Sequence, residues 1–490
     1  MAEKLSREVL VRQNLFGIIQ NLVGFCSNFV LTVMLPIIMG AFMFGQFSIV
    51  SGFAYLLAGL FDAGFNSTTI RFISEYSTTK QYPKLKAVFF HLLKYKVALA
   101  LIFAALLIIF SSDIAKAYSL VGEEPAIILA AVLIVFYAIV TFLSAVFVGL
   151  NKNQYSLIGN SINSVFLIIL PISFFYLRGD LLWVIFGVLL SFIFATAYLA
   201  LRLASKFQKL FPRKTQEIDK KEVNGNVLNF AAISMSNILL FWGIILILGL
   251  FVTADDVAFF KIALSWFAAV GILIPISTQI LFSSVISFKA SNDIKMLKKY
   301  MDMILKYSAM VIIPMMVGIF FFGESLIHLV YGPEFKAAGF VLQVIIFALF
   351  FQFISNMFSS ILVAYGRIKH ITKVYIFNTL FGVLASFLLI NYLNLLGAGI
   401  AFLLVNVMIT ASLIVAASKF LAFKLRESVT KPLVSSALMA GMLLYLKPYA
   451  ETIERALLLI LAAVVFYFAA LYLMKGITKE DLKVIRYVRG

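Results

Sequence analysis

Residues able to do chemistry are few in this sequence, and their spacing favours transport over catalysis. Asn14, Asn21 and Asn28 recur every seven residues, with Gly17 and Gly24 between them. At 3.6 residues per turn they share one polar, small-residue helix face. Such a face either lines a wet cavity or fastens one membrane helix to another. Asn226, Asn229, Ser236 and Asn237 form a comparable set later in the chain. Asp62 suits an ionic gate or a coupling cation, and Arg71, nine residues on, suits a gate contact or an anionic solute group. Arg71 and Glu75 are four apart, a spacing that pairs opposite charges on a helix. Lys94, Lys306 and Lys373 begin apolar runs and Lys261 lies early in another. Each can snorkel its ammonium to an interface or line a cationic cavity. Lys261 could also pair with Asp255 or Asp256.

Catalysis finds little support. His91, His328 and His370 stand apart, so no metal-ligand spacing is present. No glycine-rich phosphate loop precedes a lysine and a hydroxyl, which argues against a built-in ATPase. Cys26 is the sole cysteine and lies in an apolar run, where a small packing role is the plain reading. Neither an enzyme, a metal site nor a cofactor is expected.

The elements holding these residues are membrane helices. The 490 residues are 63% hydrophobic and only 13% charged, where soluble domains run near a quarter charged. A hydrocarbon core of about 30 Å needs roughly 20 apolar helical residues. Charge-free runs place spans near 13–35, 42–65, 92–111, 126–149, 155–177 and 181–201, then 227–252, 258–280, 304–323, 337–363, 371–391 and 398–418. Two more fall near 432–447 and 455–474, the thirteenth being the weakest. Pro36 and Gly40 mark the first tight turn, and Asn391 to Gly397 a later one. Pro171, Pro275 and Pro314 are candidate bends. No cleavable signal peptide is expected, because the first apolar run leads straight into the second.

This map sorts the basic residues. The segments on one side hold only Lys116, Arg178, Lys261, Lys336, Lys447 and Arg455 of the 40 Lys and Arg, while acids divide almost evenly. By the positive-inside rule both termini are expected in the cytoplasm and the chain in the cell membrane. The net charge of +18 therefore reads as topology and anionic-lipid contact, including the 202–221 loop, and not as nucleic-acid binding.

The chain also matches itself at an offset of about 212 to 215 residues. Leu85-Lys86 and Leu93-Lys94-Tyr95 return as Leu297-Lys298 and Leu305-Lys306-Tyr307; Asn14 aligns with Asn226 and Asn163 with Asn378. Six spans per copy make the copies parallel, a transporter signature with the solute path between halves. The expected organisation is a lobe at 1–201, a basic cytosolic linker at 202–226, a second lobe at 227–418, and two added helices with a short tail at 419–490.

Longer motifs carry a resemblance. Phe44-Gly45-Gln46-Phe47, Leu60-Phe61-Asp62-Ala63-Gly64-Phe65 and Arg71-Phe72 resemble the opening of the polysaccharide transporter branch of the multidrug/oligosaccharidyl-lipid/polysaccharide exporter superfamily. Phe321-Phe322-Gly323-Glu324 with Tyr331-Gly332-Pro333-Glu334-Phe335-Lys336 is similar to its ninth-to-tenth helix connection. Gly149-Leu150-Asn151-Lys152 and Tyr365-Gly366-Arg367-Ile368 resemble two matching inner turns. The resemblance implies an all-α polytopic protein of about fourteen spans that flips lipid-linked oligosaccharides outward by alternating access. It also implies cationic residues for the diphosphate, with Arg71, Lys94, Lys261 and Lys306 as candidates. Coupling to H+ or Na+ and contact with glycan-assembly proteins stay open. A cation-coupled multidrug exporter of the same superfamily is the first alternative. A membrane glycan polymerase or ligase is the second, disfavoured by short outer loops.

Overall fold

A computed structural model describes residues 2–206, 208, 212, 216–272, 285, 294–418, 425–446 and 453–476. Among them there is no strand, as the apolar run lengths predict. In lipid the backbone must satisfy itself, and helices do so within each segment.

The helices are α1 (Ala2–Thr78), α2 (Tyr82–Ile109), α3 (Ser111–Ala117), α4 (Glu124–Gly149), α5 (Asn153–Arg178), α6 (Leu181–Lys206), α7 (Lys220–Ile238), α8 (Ile244–Phe251), α9 (Ala254–Ile272), α10 (Ile294–Tyr331), α11 (Lys336–Ile345), α12 (Ala348–Ala364), α13 (Ile368–Ser418), α14 (Leu425–Leu446) and α15 (Ile453–Leu473). Among the described residues, eight helices are long and apolar enough to cross a membrane, or nine if the pair Pro333–Ile345 and Ala348–Val363, bent by 44°, is one span. Two of the eight are double-length and break once. Gly40 (φ 77°) interrupts α1 and Asn394 (φ 50°) interrupts α13, both inside the turns expected from sequence. The expected total of fourteen remains an expectation.

Two differences from the sequence map concern continuity. The span expected to end near residue 65 continues as helix to Thr78, because Phe72 and Ile73 remain buried beyond the apolar run. Between α7 and α8 lies a single π-helical turn, Leu239–Gly243, a local widening often found at functional sites. Pro275 lies outside the described residues.

The chain divides into two compact units. One comprises Met1–Ile262 with Val383–Leu395, the other Ala263–Gly382 with Leu396–Gly490. In the first, α1 packs on α7 through glycine: a Cβ on Gly64 would lie 2.2 Å from the Val227 carbonyl oxygen. Only Gly permits that approach. In the second, α14 and α15 pack on α10 around Met310, Phe321, Phe322, Met439, Leu443 and Tyr467. Pro314 has no N–H, which deprives the Met310 carbonyl of its helical partner. The Tyr467 hydroxyl donates to that carbonyl at 2.9 Å.

One pairing recurs in both units. Ser191 Oγ donates to Asn163 Oδ1 at 3.0 Å, joining α5 to α6. Asn378 Nδ2 donates to Ser412 Oγ at 3.2 Å, joining the two halves of α13. Asn163 and Asn378 are the asparagines aligned by the internal match.

Candidate functional site

The first unit carries two polar constellations on α1, separated by nine residues. The more exposed one centres on Arg71. Asp219 caps α7, its Oδ1 accepting from the Lys221 and Glu222 amides at 2.9 and 3.0 Å. That cap sets the phase of α7, so Glu222 and Asn226, four apart, face one neighbour. The Arg71 guanidinium donates to Glu222 Oε1 at 3.0 Å and to Asn226 Oδ1. Asn226 turns its amide nitrogen back to the Glu222 carbonyl at 2.9 Å, which aims its oxygen at Arg71. His91 on α2 meets Asn224 Oδ1 at 3.0 Å. The Lys86 ammonium donates to the Pro212 carbonyl at 2.9 Å. Burial, then the carboxylates of Glu75, Glu222 and Asp219, push the nearby Tyr76 phenol upward and keep it neutral.

Arg71 therefore pairs across 151 positions with Glu222, where the spacing rule pointed to Glu75. Its side chain is 46% exposed, so the guanidinium keeps a solvent-facing part. Such a group can close an entrance as an ion pair or, released, bind a phosphate.

The second constellation lies deeper, at Asp62. Lys96 on α2 is fully buried, at 0% exposure, and forms an ion pair with Asp62. Its ammonium also donates to Asn66 Oδ1 at 2.8 Å and to Thr141 Oγ1 of α4 at 2.9 Å. Asn66 Nδ2 donates to Asp62 Oδ2 at 2.6 Å, and the Thr141 hydroxyl donates to Asp62 Oδ1 at 2.7 Å. The three ammonium hydrogens thus have three oxygen acceptors, two on α1 and one on α4. Sequence reasoning missed Lys96. A signal existed: Val88, Leu92, Lys96, Ala100 and Ala104 recur every fourth residue, and all are buried. Lys96 is a charge written into an apolar stripe.

The other candidates are dispersed. Lys94 is exposed, two residues and about half a turn from Lys96. Asn21 is exposed, and Asn28, also exposed, donates to the Gly24 carbonyl of its own helix at 2.8 Å. Lys261 stands over the Trp242 ring, 4.0 Å from its centroid. Trp242 lies on the π-helical turn and stacks on Tyr55. Lys306, in the second unit, lies 5.8 Å from the Tyr307 ring centroid. The side chains of Asn14, Asn229 and Asn237 lie outside the described residues. Of the sequence candidates, the structure joins Arg71 to Asn226. Among the described residues no group of three His, Cys, Asp or Glu could hold a metal ion.

This fold is shared with solved transporters. The structure titled "Lipid II flippase MurJ, inward closed conformation" superimposes with a TM-score of 0.71 at 13% identity, covering 95% of this chain and 98% of that one. An inward-facing MATE-family multidrug resistance transporter of the MOP superfamily gives 0.67 at 16% identity, covering 84% and 95%. A MOP-superfamily transporter from Pyrococcus furiosus, whose title reports reversed polarity of its binding pocket, gives 0.55 at 16%, covering 86% and 96%. No curated protein matches the sequence. The sequence model of the polysaccharide biosynthesis protein family matches residues 10–283. The chain belongs to that family.

Proposed function

We propose that this protein is a flippase that carries lipid-linked oligosaccharides of the polyprenyl-diphosphate type from the inner to the outer leaflet, for cell-surface glycan assembly. The observation carrying this reading is the match to polysaccharide biosynthesis proteins over residues 10–283, on a chain whose fold follows a lipid II flippase over 95% of its length. Each sugar hydroxyl costs several kcal/mol (roughly 2–7) to bury without a partner. A protein-lined polar path removes most of that cost, while the polyprenyl tail remains in lipid. The repeat-based lobes, 1–201 and 227–418, would rock against each other in alternating access. Arg71, with Asn226 beside it, is the proposed contact for the diphosphate on entry; Lys94, Lys261 and Lys306 are further candidates. Asn14, Asn21, Asn28, Asn229 and Asn237 are proposed to offer amides to the sugars. The membrane is proposed to be the cell membrane, with both termini cytoplasmic. Reagent accessibility of single cysteines at Asn151 and Glu334, in a chain lacking Cys26, tests that orientation: the two must label from opposite faces.

Reconstitution tests the transport reading. Vesicles holding the protein and a labelled polyprenyl-diphosphate oligosaccharide should expose the internal label to an impermeant reagent far faster than protein-free vesicles. Equal rates would remove the proposal. A second reading, multidrug export, draws on the MATE likeness at TM-score 0.67. Protein-dependent transport of cationic drugs, with the glycolipid unmoved, would put it first.

A further inference from the structure

The oxygen cage around Lys96 has the donor set of a monovalent-cation site, and a side chain occupies it. Asp62 supplies a carboxylate, Asn66 an amide oxygen and Thr141 a hydroxyl. Hard cations select such all-oxygen sets. The Lys96 side chain is fully buried in the stripe of α2, while the Asp62 carboxylate keeps a small exposed part. The Phe142 ring, 5.9 Å from Nζ, stands beside the cage. Tyr137 lies one turn before Thr141 on α4, and its backbone carbonyl is 2.9 Å from the Thr141 hydroxyl.

The internal repeat supplies an independent observation. At the 212-residue offset Leu93-Lys94-Tyr95-Lys96 matches Leu305-Lys306-Tyr307-Ser308. Ser308 is fully buried, and its hydroxyl has no hydrogen-bond partner among the described residues. The stretch aligned with Asp62, around Leu273 to Ser277, contains no acid. Acid and base are thus both present in one copy and both missing from the other.

We propose that Lys96 is a tethered cation that permanently fills a monovalent-cation site formed by Asp62, Asn66 and Thr141, so Asp62 binds no free coupling ion in the native protein. Deleting the tether opens the site to a free cation of similar size. K+ and ammonium match the Lys96 head better than Li+ does. The inference goes beyond the proposed solute and holds whatever the chain transports.

Thermal unfolding of the purified full-length protein at pH 8 tests it without a transport assay. Ionic strength is held constant with choline chloride, which is too bulky to enter. For the native protein the midpoint should stay flat as K+, Na+ or Li+ replaces choline. For Lys96→Ala, K+ or n-propylammonium, which restores the deleted atoms, should raise the midpoint by about 3 °C or more at saturation. Lys96→Met with Asp62→Asn removes both charges, folds without the pair, and should not respond. A flat response in folded Lys96→Ala overturns the proposal. So does a K+ or Na+ response in the native protein that Asp62→Asn abolishes, and that arm stands even if Lys96→Ala fails to fold. A response retained in the double variant also overturns it, by placing the site elsewhere.

Discussion

The two copies of the Leu-Lys-Tyr motif solve one packing problem in different ways. In α2 the next residue is Lys96, buried and bonded to three oxygens. In α10 it is Ser308, equally buried and with a hydroxyl that has no partner among the described residues. Both sit among helices in an apolar setting, so backbone position alone does not decide whether a charge is tolerated. The partner does. A buried ammonium persists where carboxylate, amide and hydroxyl converge, and each member of that set makes the others affordable in oil.

That contrast breaks most sharply by exchanging the residues. Lys96→Ala strands Asp62 and Ser308→Lys buries an unpaired ammonium; each should cost about 3–5 kcal/mol in denaturant or thermal unfolding. Ser308→Ala, the control, should stay within about 0.5 kcal/mol. If Lys96→Ala proves as mild as Ser308→Ala, the difference between the copies is decorative.

Glycine gives a second, smaller contrast. Gly64 abuts the Val227 carbonyl, whereas a Cβ on Gly318 of α10 meets nothing within 4 Å. Gly64→Val should destabilise by about 1–3 kcal/mol through overpacking. Gly318→Ala should be neutral or gain up to about 1 kcal/mol. Next in size, Tyr467→Phe leaves the Met310 carbonyl unpaired and should cost about 1–3 kcal/mol. Smallest in stability is Arg71→Ala, under about 1 kcal/mol for a half-exposed pair. Its expected effect is on transport, scored by complementation of glycan export, and normal export would remove Arg71 from the solute path.

The fold class was legible because it depends on run length and charge placement, which sequence displays directly. Gly40 and Asn394 break their helices inside the turns that Pro36 and the Asn391–Gly397 segment announced. Ends were less legible: α1 outlasts its apolar run because tertiary burial of Phe72 and Ile73 carries it on. The site was half legible. Arg71 and Asn226 were each visible as polar residues near span ends, but nothing local links residues 155 apart. Lys94 stands out because it begins an apolar run, whereas Lys96 emerges only when the buried four-residue stripe of α2 is traced.

Pro314 and Tyr467 together bind α15 to α10 within the second unit. The carbonyl that proline strands lies in the middle of α10, and the hydroxyl that answers it arrives from α15. Mechanically, α15 acts as a splint across the weakest point of another helix. Pulled from its C-terminus, the protein should not shed its final hairpin freely: extraction of α15 should soften α10 at once, so that both yield in a single force event.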